Sequence, residues 1–498
     1  MSSSGVMGSK GGSVPLKEQV LRRKPIGGTR PDAEGEHLTR SMGTFQLMML
    51  GVGATIGTGI FFVLGEAVPK AGPAVLVAFV VAALAAGLSA LCYAEMASAI
   101  PVSGSTYSYA YHALGEGPAM FICGCVLLEY GVATGAVAVG WSGYFNELLH
   151  ALTGLSIPEA LTVSPISDGQ GGATGIVNLP AVVLVGLCML LLLRGASESA
   201  TVNAIMVLIK IGVLILFIVI GFSAFQADHF ENFFGKGFNG ISAAAATIFF
   251  SFIGLDAVAT AGEEVRNPQK ALPRAIIGAL IIVSTVYILV AAAGLAAKPV
   301  SFFGTEAMGE AGLAQILKDI TGNEIWSTVL AAGAVISIFS VTLVTLYGQT
   351  RILFAIGRDG LVPHKFTEVS PKTMAPTFTT IFVSVVVALI AGFVPDVYLW
   401  DTVSIGTLVA FSAVAIGVMV MRRTHPNLER PFRVPGYPVV PILTVLVCAY
   451  ILSGLAAITW VIFAVWQVIV LLGYLLWGRH HARLNDVLPD VIDGGSRS

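Results

Sequence analysis

Charge is scarce in this chain: 11% of its 498 residues are Asp, Glu, Lys or Arg, against about 25% in soluble proteins. With 55% hydrophobic residues and a mean hydropathy of +0.84, that scarcity excludes a water-soluble globule. Cysteine is scarce too. Cys92, Cys123, Cys125, Cys188 and Cys448 all fall in apolar runs without CxxC spacing, which excludes a disulfide framework or a thiolate metal site. Cys123 and Cys125 point to different faces of a helix and read as packing residues. The eight histidines lie in loops, tails or near the ends of apolar runs, so an intramembrane enzyme or electron carrier would lack ligands. No nucleotide-binding motif is present, and neither a cofactor nor a nucleic-acid partner is implied. The polar, basic N-terminus has no apolar stretch of the kind a cleavable signal peptide carries.

What the chain has in abundance is apolar runs of about 20 residues, each long enough to cross a bilayer. Twelve are read, at roughly 45–67, 73–99, 118–148, 177–194, 202–224, 240–261, 275–297, 325–354, 377–395, 399–421, 438–458 and 460–477. This predicts an all-α integral membrane protein in contact with lipid. With the N-terminus placed inside, every Lys and Arg lies in an inside segment except Lys70, Lys236, Lys298 and Lys318 outside and Lys210 within a span. That bias places both termini in the cytoplasm. Residues 1–43, Gly/Ser-rich and then basic, read as a disordered tail ending in a membrane-surface segment. Residues 479–498 read as a second cytoplasmic tail. Outside loops 150–175 and 298–324 are the longest, the latter with a short surface helix expected over Ala307 to Asp319.

Two spans are poor helices. The first contains Gly51, Gly53, Gly57 and Gly59 with Thr55 and Thr58 between them, and each glycine costs about 1 kcal/mol of helix propensity relative to alanine. Close packing would need glycines on one face, and these crowd every face. The stretch therefore reads as unwound backbone, which at membrane depth is tolerated where it lines a cavity. The second interruption is Gly254-Leu-Asp-Ala257 in the sixth span. The two spans open successive five-helix halves, and an odd number of helices gives the halves opposite orientations. Paired breaks in corresponding positions point to a transporter binding site. Amide and carbonyl ends exposed there suit a molecule carrying both a carboxylate and an ammonium.

Three ionisable residues lie deep in spans: Glu129, Lys210 and Asp256. A charge at the bilayer centre costs roughly 2.5–3.5 kcal/mol, so each needs a reason. Lys210 lies about 12 Å into its helix at 1.5 Å per residue; it reads either as a functional buried amine or as one that snorkels along a tilted helix. A buried amine alternating between charged and neutral forms could do the work of a bound sodium ion. Asp256 either caps the half-helix after the break or carries a proton, and the two are compatible. Glu129 either hydrogen-bonds across helices or takes part in proton movement. Tyr287 packs or seeks a buried partner for its phenol. Glu95 and Asp401, nearer span ends, read as interfacial. Two inside loops, Glu263–Lys270 and Arg351–Gly360, carry opposite charges that read either as a gate at the inside mouth or as solvated surface.

These features together resemble the amino acid–polyamine–organocation superfamily, and within it bacterial members of the cationic amino acid transporter family. The resemblance runs from about residue 40 to 480. Gly51–Phe61, Tyr93–Tyr109, Leu128–Gly131, Phe250–Asp256, Glu263–Pro268 and Tyr347–Arg351 carry it. It implies a LeuT-type core of two inverted five-helix repeats with broken helices 1 and 6 over residues 44–422, plus two additional helices over 423–478. It further implies that the amides of Gly57, Thr58 and Gly59 meet a substrate carboxylate. The carbonyls of Ala54, Thr55, Phe250, Ser251 and Ile253 would meet its ammonium. Lys210 stands where sodium-coupled relatives hold sodium, Glu129, Asp256 and Tyr287 are polar groups near the site, and Thr345 lines the side-chain pocket.

The expected activity is secondary uptake of an L-amino acid with a proton across the cytoplasmic membrane. An exchanger of amino acids or polyamines is the alternative within this class, and a membrane amino-acid sensor the alternative outside it. A sensor would carry a sizeable signalling domain, which neither tail supplies. A channel would need a continuous polar pore in place of paired breaks.

Overall fold

Apolar runs that cannot lend their backbone groups to water must pair them internally, and a helix does so within one segment. The structure, a computed structural model, describes residues 16–26, 40–166, 175–305, 312–394, 399–453, 455 and 457–486. Among these the only extended pairing is an isolated bridge between Met42 and Val265. Helix α1 (Leu16–Leu21) precedes the first apolar run, which forms two helices, α2 (Thr44–Thr55) and α3 (Thr58–Ala71). Next come α4 (Val75–Ala99), the short α5 (Ser105–Ala113), α6 (Glu116–Thr153), α7 (Leu179–Leu193) and α8 (Ala196–Ser223). The sixth run is again split, into α9 (Gly237–Phe249) and the brief α10 (Ala257–Thr260). Helices α11 (Pro268–Ala297), α12 (Gly312–Thr321), α13 (Glu324–Arg358) and α14 (Thr377–Phe393) follow. The chain closes with α15 (Trp400–Thr424), α16 (Val439–Leu452) and α17 (Ala457–Gly473).

Every apolar run read from the sequence carries a helix or a split pair. Among the described residues, seven helical segments are long and apolar enough to cross a membrane, and five further apolar helices have 10–17 residues. Helix α12 lies in the second long loop, where a surface helix is expected; residues 306–311 lie outside the described set. Local chemistry sets the starts. Asn178 Oδ1 accepts from the Ala181 amide at 3.3 Å, with Pro180 in the first turn of α7. Asn323 Oδ1 accepts from the Ile325 amide at 2.9 Å ahead of α13. Both satisfy amides the helix itself leaves unpaired.

The outward faces are apolar: Val385, Leu446 and Val468 on α14, α16 and α17 are each more than half exposed. Lys210, Asp256 and Arg351 are buried, an arrangement that fits lipid outside and polar function within. Helix α3 packs on α9, α4 on α11, α6 on α13 and α7 on α14.

At the end of the bundle that carries both chain termini, residues 16–26 are docked, although they fall in the stretch read as a disordered tail. The reason is electrostatic: two acids in the helical body find their cations there. Glu116, fully buried, accepts from Arg22 Nε at 2.6 Å and from the Tyr111 and Tyr474 hydroxyls at 2.8 Å. Asp359 pairs with Lys24 and accepts from the Tyr107 hydroxyl at 2.9 Å. From the C-terminal tail, the Arg483 amide donates to the Asp359 carbonyl at 2.9 Å, and Asn485 Oδ1 accepts from Arg22 at 2.8 Å. Residues 1–15, 27–39 and 487–498 of the two tails lie outside the described set. Glu95, read as interfacial, is buried; it accepts from Arg422 Nε at 2.8 Å and the Val434 amide at 2.7 Å, tying α4 to the loop before α16. The side chain of Asp401 is not among those described.

Candidate functional site

The first break is narrower than its glycines suggest. Only Ile56 and Gly57 separate α2 from α3, with φ/ψ of −76°/93° and −135°/−144°. Gly51 and Gly53 lie inside α2, where a Cβ would stand 2.6 Å from Val258 Cγ2 and 2.6 Å from Asn203 Oδ1, respectively. Close packing therefore explains these two glycines, while Gly57 combines a place in the break with an equally close approach, 2.6 Å from a Cβ to Val341 Cγ2. The second break is wider than expected: α9 ends at Phe249 and passes through a 3₁₀ turn, Phe250–Phe252, before the chain re-enters helix at Ala257. Gly254 sits there at φ +103°, and a Cβ would lie 2.9 Å from the Ala54 carbonyl, so glycine brings the breaks together.

The carbonyls left over at the end of α2 have a cation. Lys210 Nζ, fully buried, donates to the Gly53 carbonyl at 3.0 Å and to the Ile56 carbonyl at 2.6 Å. An ammonium suits the negative end of a helix dipole and satisfies acceptors the helix leaves orphaned. Ser337 donates to the same Ile56 carbonyl at 3.1 Å. Asn203, two turns before Lys210 on the same face of α8, donates to the Met49 carbonyl at 3.1 Å and accepts from Ser340 at 2.7 Å. Tyr287 links the two breaks: its hydroxyl lies 2.8 Å from the Thr55 carbonyl and 3.0 Å from the Ser251 carbonyl.

Between the breaks lies a cavity of about 60 Å³. Ala54, Thr55, Gly57, Gly59, Ser251, Ile253 and Gly254 form one side of it; Ala133 and Val137 of α6, Val341 and Thr345 of α13, and Val403 of α15 form the other. The carboxylate in this wall is Glu129, whose Oε2 has no hydrogen-bond partner. Thr58 opens α3 and Phe250 opens the 3₁₀ turn, but their side chains are not among those described. Lys210 and Tyr287 stand behind the breaks, holding their backbone. Asp256 is also set apart. It occupies the cap position of α10 yet makes no capping bond; its Oδ2 accepts from the Tyr130 hydroxyl at 2.6 Å. It lines a separate void of about 10 Å³ with Tyr93 and Phe411.

Sequence reasoning missed Asn203, Ser337, Tyr130 and Thr134. The seven-residue spacing of Asn203 and Lys210 on one apolar helix was a usable signal, since two turns return to the same face. The partners of Ser337 and Tyr130 come from helices distant in sequence, which no local pattern encodes.

The two charged loops do meet. Glu263 binds Arg358 through two bonds and accepts from the Ser103 amide and hydroxyl at 2.8 and 2.9 Å. Burial pushes the Glu263 carboxyl up, but the Arg358 guanidinium and the Ser103 donors outweigh it and hold the group below its ordinary value. Its contribution is thus present above the unfolded-state value and is lost as pH falls through the lower folded one. Glu264 pairs with Arg351, both almost wholly buried, and accepts from the Tyr347 hydroxyl at 2.8 Å. Removing one partner of a buried pair strands the other charge, at about 3–5 kcal/mol. Glu264→Ala is therefore expected to lower the thermal midpoint of the detergent-purified protein markedly. Glu324→Ala, which breaks the exposed Lys318–Glu324 pair, is expected to leave it in place.

The amino acid permease profile matches residues 42–478. The chain belongs to the amino acid permease family. This permease is 42% identical over 471 residues to the branched-chain amino acid permease BcaP of Bacillus subtilis (strain 168), covering 94% of this chain and all of that one. It is 40% identical over 467 residues to the methylthioribose transporter of the same organism, covering 94% and 99% of the two chains. It is 35% identical over 423 residues to the vacuolar cationic amino acid transporter 4 of Arabidopsis thaliana, covering 82% of this chain and 68% of that one. The protein is a multi-pass membrane transporter that takes up amino acids and is not an enzyme.

Proposed function

We propose that this permease imports a short aliphatic L-amino acid together with a proton, by alternating access of a LeuT-type core around the cavity between the two breaks. The observation that carries the reading is the cavity's composition. One side is backbone freed by the breaks, suited to an α-carboxylate at the Gly57–Gly59 amides and an α-ammonium at the Ala54, Thr55, Phe250, Ser251 and Ile253 carbonyls. The other side is mostly apolar, with Ala133, Val137, Val341 and Val403 beside Thr345, Tyr130 and Glu129. Its volume is that of a few waters, each needing about 10–15 Å³, which suits a side chain as short as valine better than one as long as arginine. The relatives at 42% and 40% identity are named for different substrates, so the aliphatic reading leans on the apolar residues of the cavity wall.

Twelve spans in two inverted halves are in keeping with four contacts between the halves, the first broken span with the second through α3 and α9, α4 with α11, α6 with α13 and α7 with α14. In this reading residues 44–422 are the core, 423–478 are two added spans, and the charged end bearing both termini is cytoplasmic. Lys210 takes the place of sodium, with Glu129, Asp256 and Tyr287 as further candidates in proton movement. The unpartnered Glu129 Oε2 in the wall favours one second reading, in which it faces a cationic side chain.

Uptake into proteoliposomes tests both. Labelled L-valine or L-isoleucine is expected to accumulate without sodium, and to accumulate several-fold more under an inward proton gradient. Strict sodium dependence overturns the coupling. Displacement of the label by L-arginine but not by L-leucine overturns the aliphatic reading in favour of the cationic one.

A further inference from the structure

Thr345 reaches the cavity wall from α13, yet its hydroxyl is fully engaged elsewhere. Its Oγ1 lies 2.9 Å from the Val341 carbonyl, 3.3 Å from the Thr342 carbonyl and 2.8 Å from Thr134 Oγ1. Thr134, on α6, has no exposed surface, and its own Oγ1 lies 2.6 Å from the Tyr130 carbonyl. Two hydroxyl protons are thus shared among backbone carbonyls and the oxygen–oxygen contact, whichever hydroxyl donates across it. We propose that Thr134 is a specificity-determining residue, holding the Thr345 hydroxyl away from the substrate so that this wall presents a methyl group. The inference rests on reading the cavity as the amino-acid site.

The physical reason is that a helical threonine is not confined to one rotamer. It divides between two, because its oxygen can return to either the preceding i−3 or i−4 carbonyl. Here one Oγ1 position meets both the Val341 and Thr342 carbonyls, and the Thr134 contact adds a cross-helix hold on that rotamer. With Val137, Val341 and Val403 nearby, and Glu129 and Tyr130 also in the lining, the engaged Thr345 extends the apolar part of the surface; a released Thr345 would put a further donor and acceptor into that part. A polar group inside such a pocket changes which substrate leaves a buried group unpaired, and that decides selectivity more sharply than volume does.

L-valine and L-threonine are the probes, since they differ by a methyl in place of a hydroxyl at nearly equal volume. In the wild type, valine is expected to compete for uptake better than threonine. Thr134→Val removes the partner oxygen and is expected to raise the threonine-to-valine preference about five- to tenfold, the value of one buried hydrogen bond. Thr134→Ala, a milder change in volume, carries the same expectation should the valine variant fold poorly. Thr134→Ser, which keeps the hydroxyl, is expected to restore the wild-type ratio. The double variant Thr134→Val, Thr345→Val is expected to lose the gain, because the hydroxyl that produced it is gone. A ratio within about twofold of wild type in both Thr134→Val and Thr134→Ala overturns the proposal, as does a gain that survives in the double variant. Binding of neither probe by wild type, in a thermal-shift assay of the purified protein, would instead overturn the reading of the cavity itself.

Discussion

Lys210→Met is expected to abolish accumulation of amino acid under an inward proton gradient while the protein still reaches the membrane. The substitution keeps most of the side-chain volume and removes the ammonium. Two carbonyls at the end of α2, Gly53 and Ile56, then lose their donor in a fully buried place, at about 1–3 kcal/mol for each group left unpaired. Ser337 still donates to Ile56, so Gly53 bears the greater loss. The expected consequence is a half-helix that loses its tie to α8 at its broken end, leaving the Asn203–Met49 bond one turn earlier. In the proposed mechanism, motion coupled to a proton requires a contact whose strength changes with protonation, and Lys210 is the amine bound directly to the broken helix. Substrate binding is expected to persist, because the amine holds the backbone from behind and does not line the cavity. Proteoliposome uptake with imposed pH gradients, alongside ligand-induced thermal stabilisation, measures the two separately; a ligand at 100 times its Kd adds about 2.7 kcal/mol when binding survives. Unchanged gradient-driven accumulation in the variant would falsify the coupling role.

The legibility of this site from sequence has a physical pattern. A lysine in an apolar run advertises itself, because its cost is local and large, and so does a run of glycines. What the glycines do is not local. Gly51 and Gly57 look alike in the chain, yet one sits inside α2 against Val258 of α10 and the other in the break against Val341 of α13, neighbours more than 200 residues away that no local pattern reveals. The docked residues 16–26 were illegible for the same reason: a Gly/Ser-rich, basic segment has the composition of a disordered tail until Glu116 and Asp359 are brought beside it. Asp256 shows the converse. Its place in the sequence puts it at the break, but it lines a separate void and reaches the cavity wall only through its bond with the Tyr130 hydroxyl.

Gly57→Leu is expected to eliminate substrate binding in a folded protein, and the structure separates two reasons for it. Gly57 lines the cavity, so a side chain there competes with ligand for space close to the backbone. A Cβ at this position would also stand 2.6 Å from Val341 Cγ2, and valine is stiff at χ1, so the clash is not relieved by a simple swing of the side chain. Even Gly57→Ala must therefore push α3 or α13 apart at the site, and an affinity loss of at least about tenfold is expected, about 1.4 kcal/mol. Adding Val341→Ala removes the clashing methyls. If Val341 packing is the main obstacle, the Gly57→Ala, Val341→Ala pair recovers much of the affinity that Gly57→Ala loses, an interaction energy measurable by a double-mutant cycle. Gly57→Leu is expected to gain nothing from the same second change, because its side chain occupies the ligand's own volume. Equilibrium binding of labelled L-valine to the detergent-purified variants, with folding checked by their thermal midpoints, gives both answers. Wild-type affinity in a folded Gly57→Leu protein would remove the substrate from this break altogether.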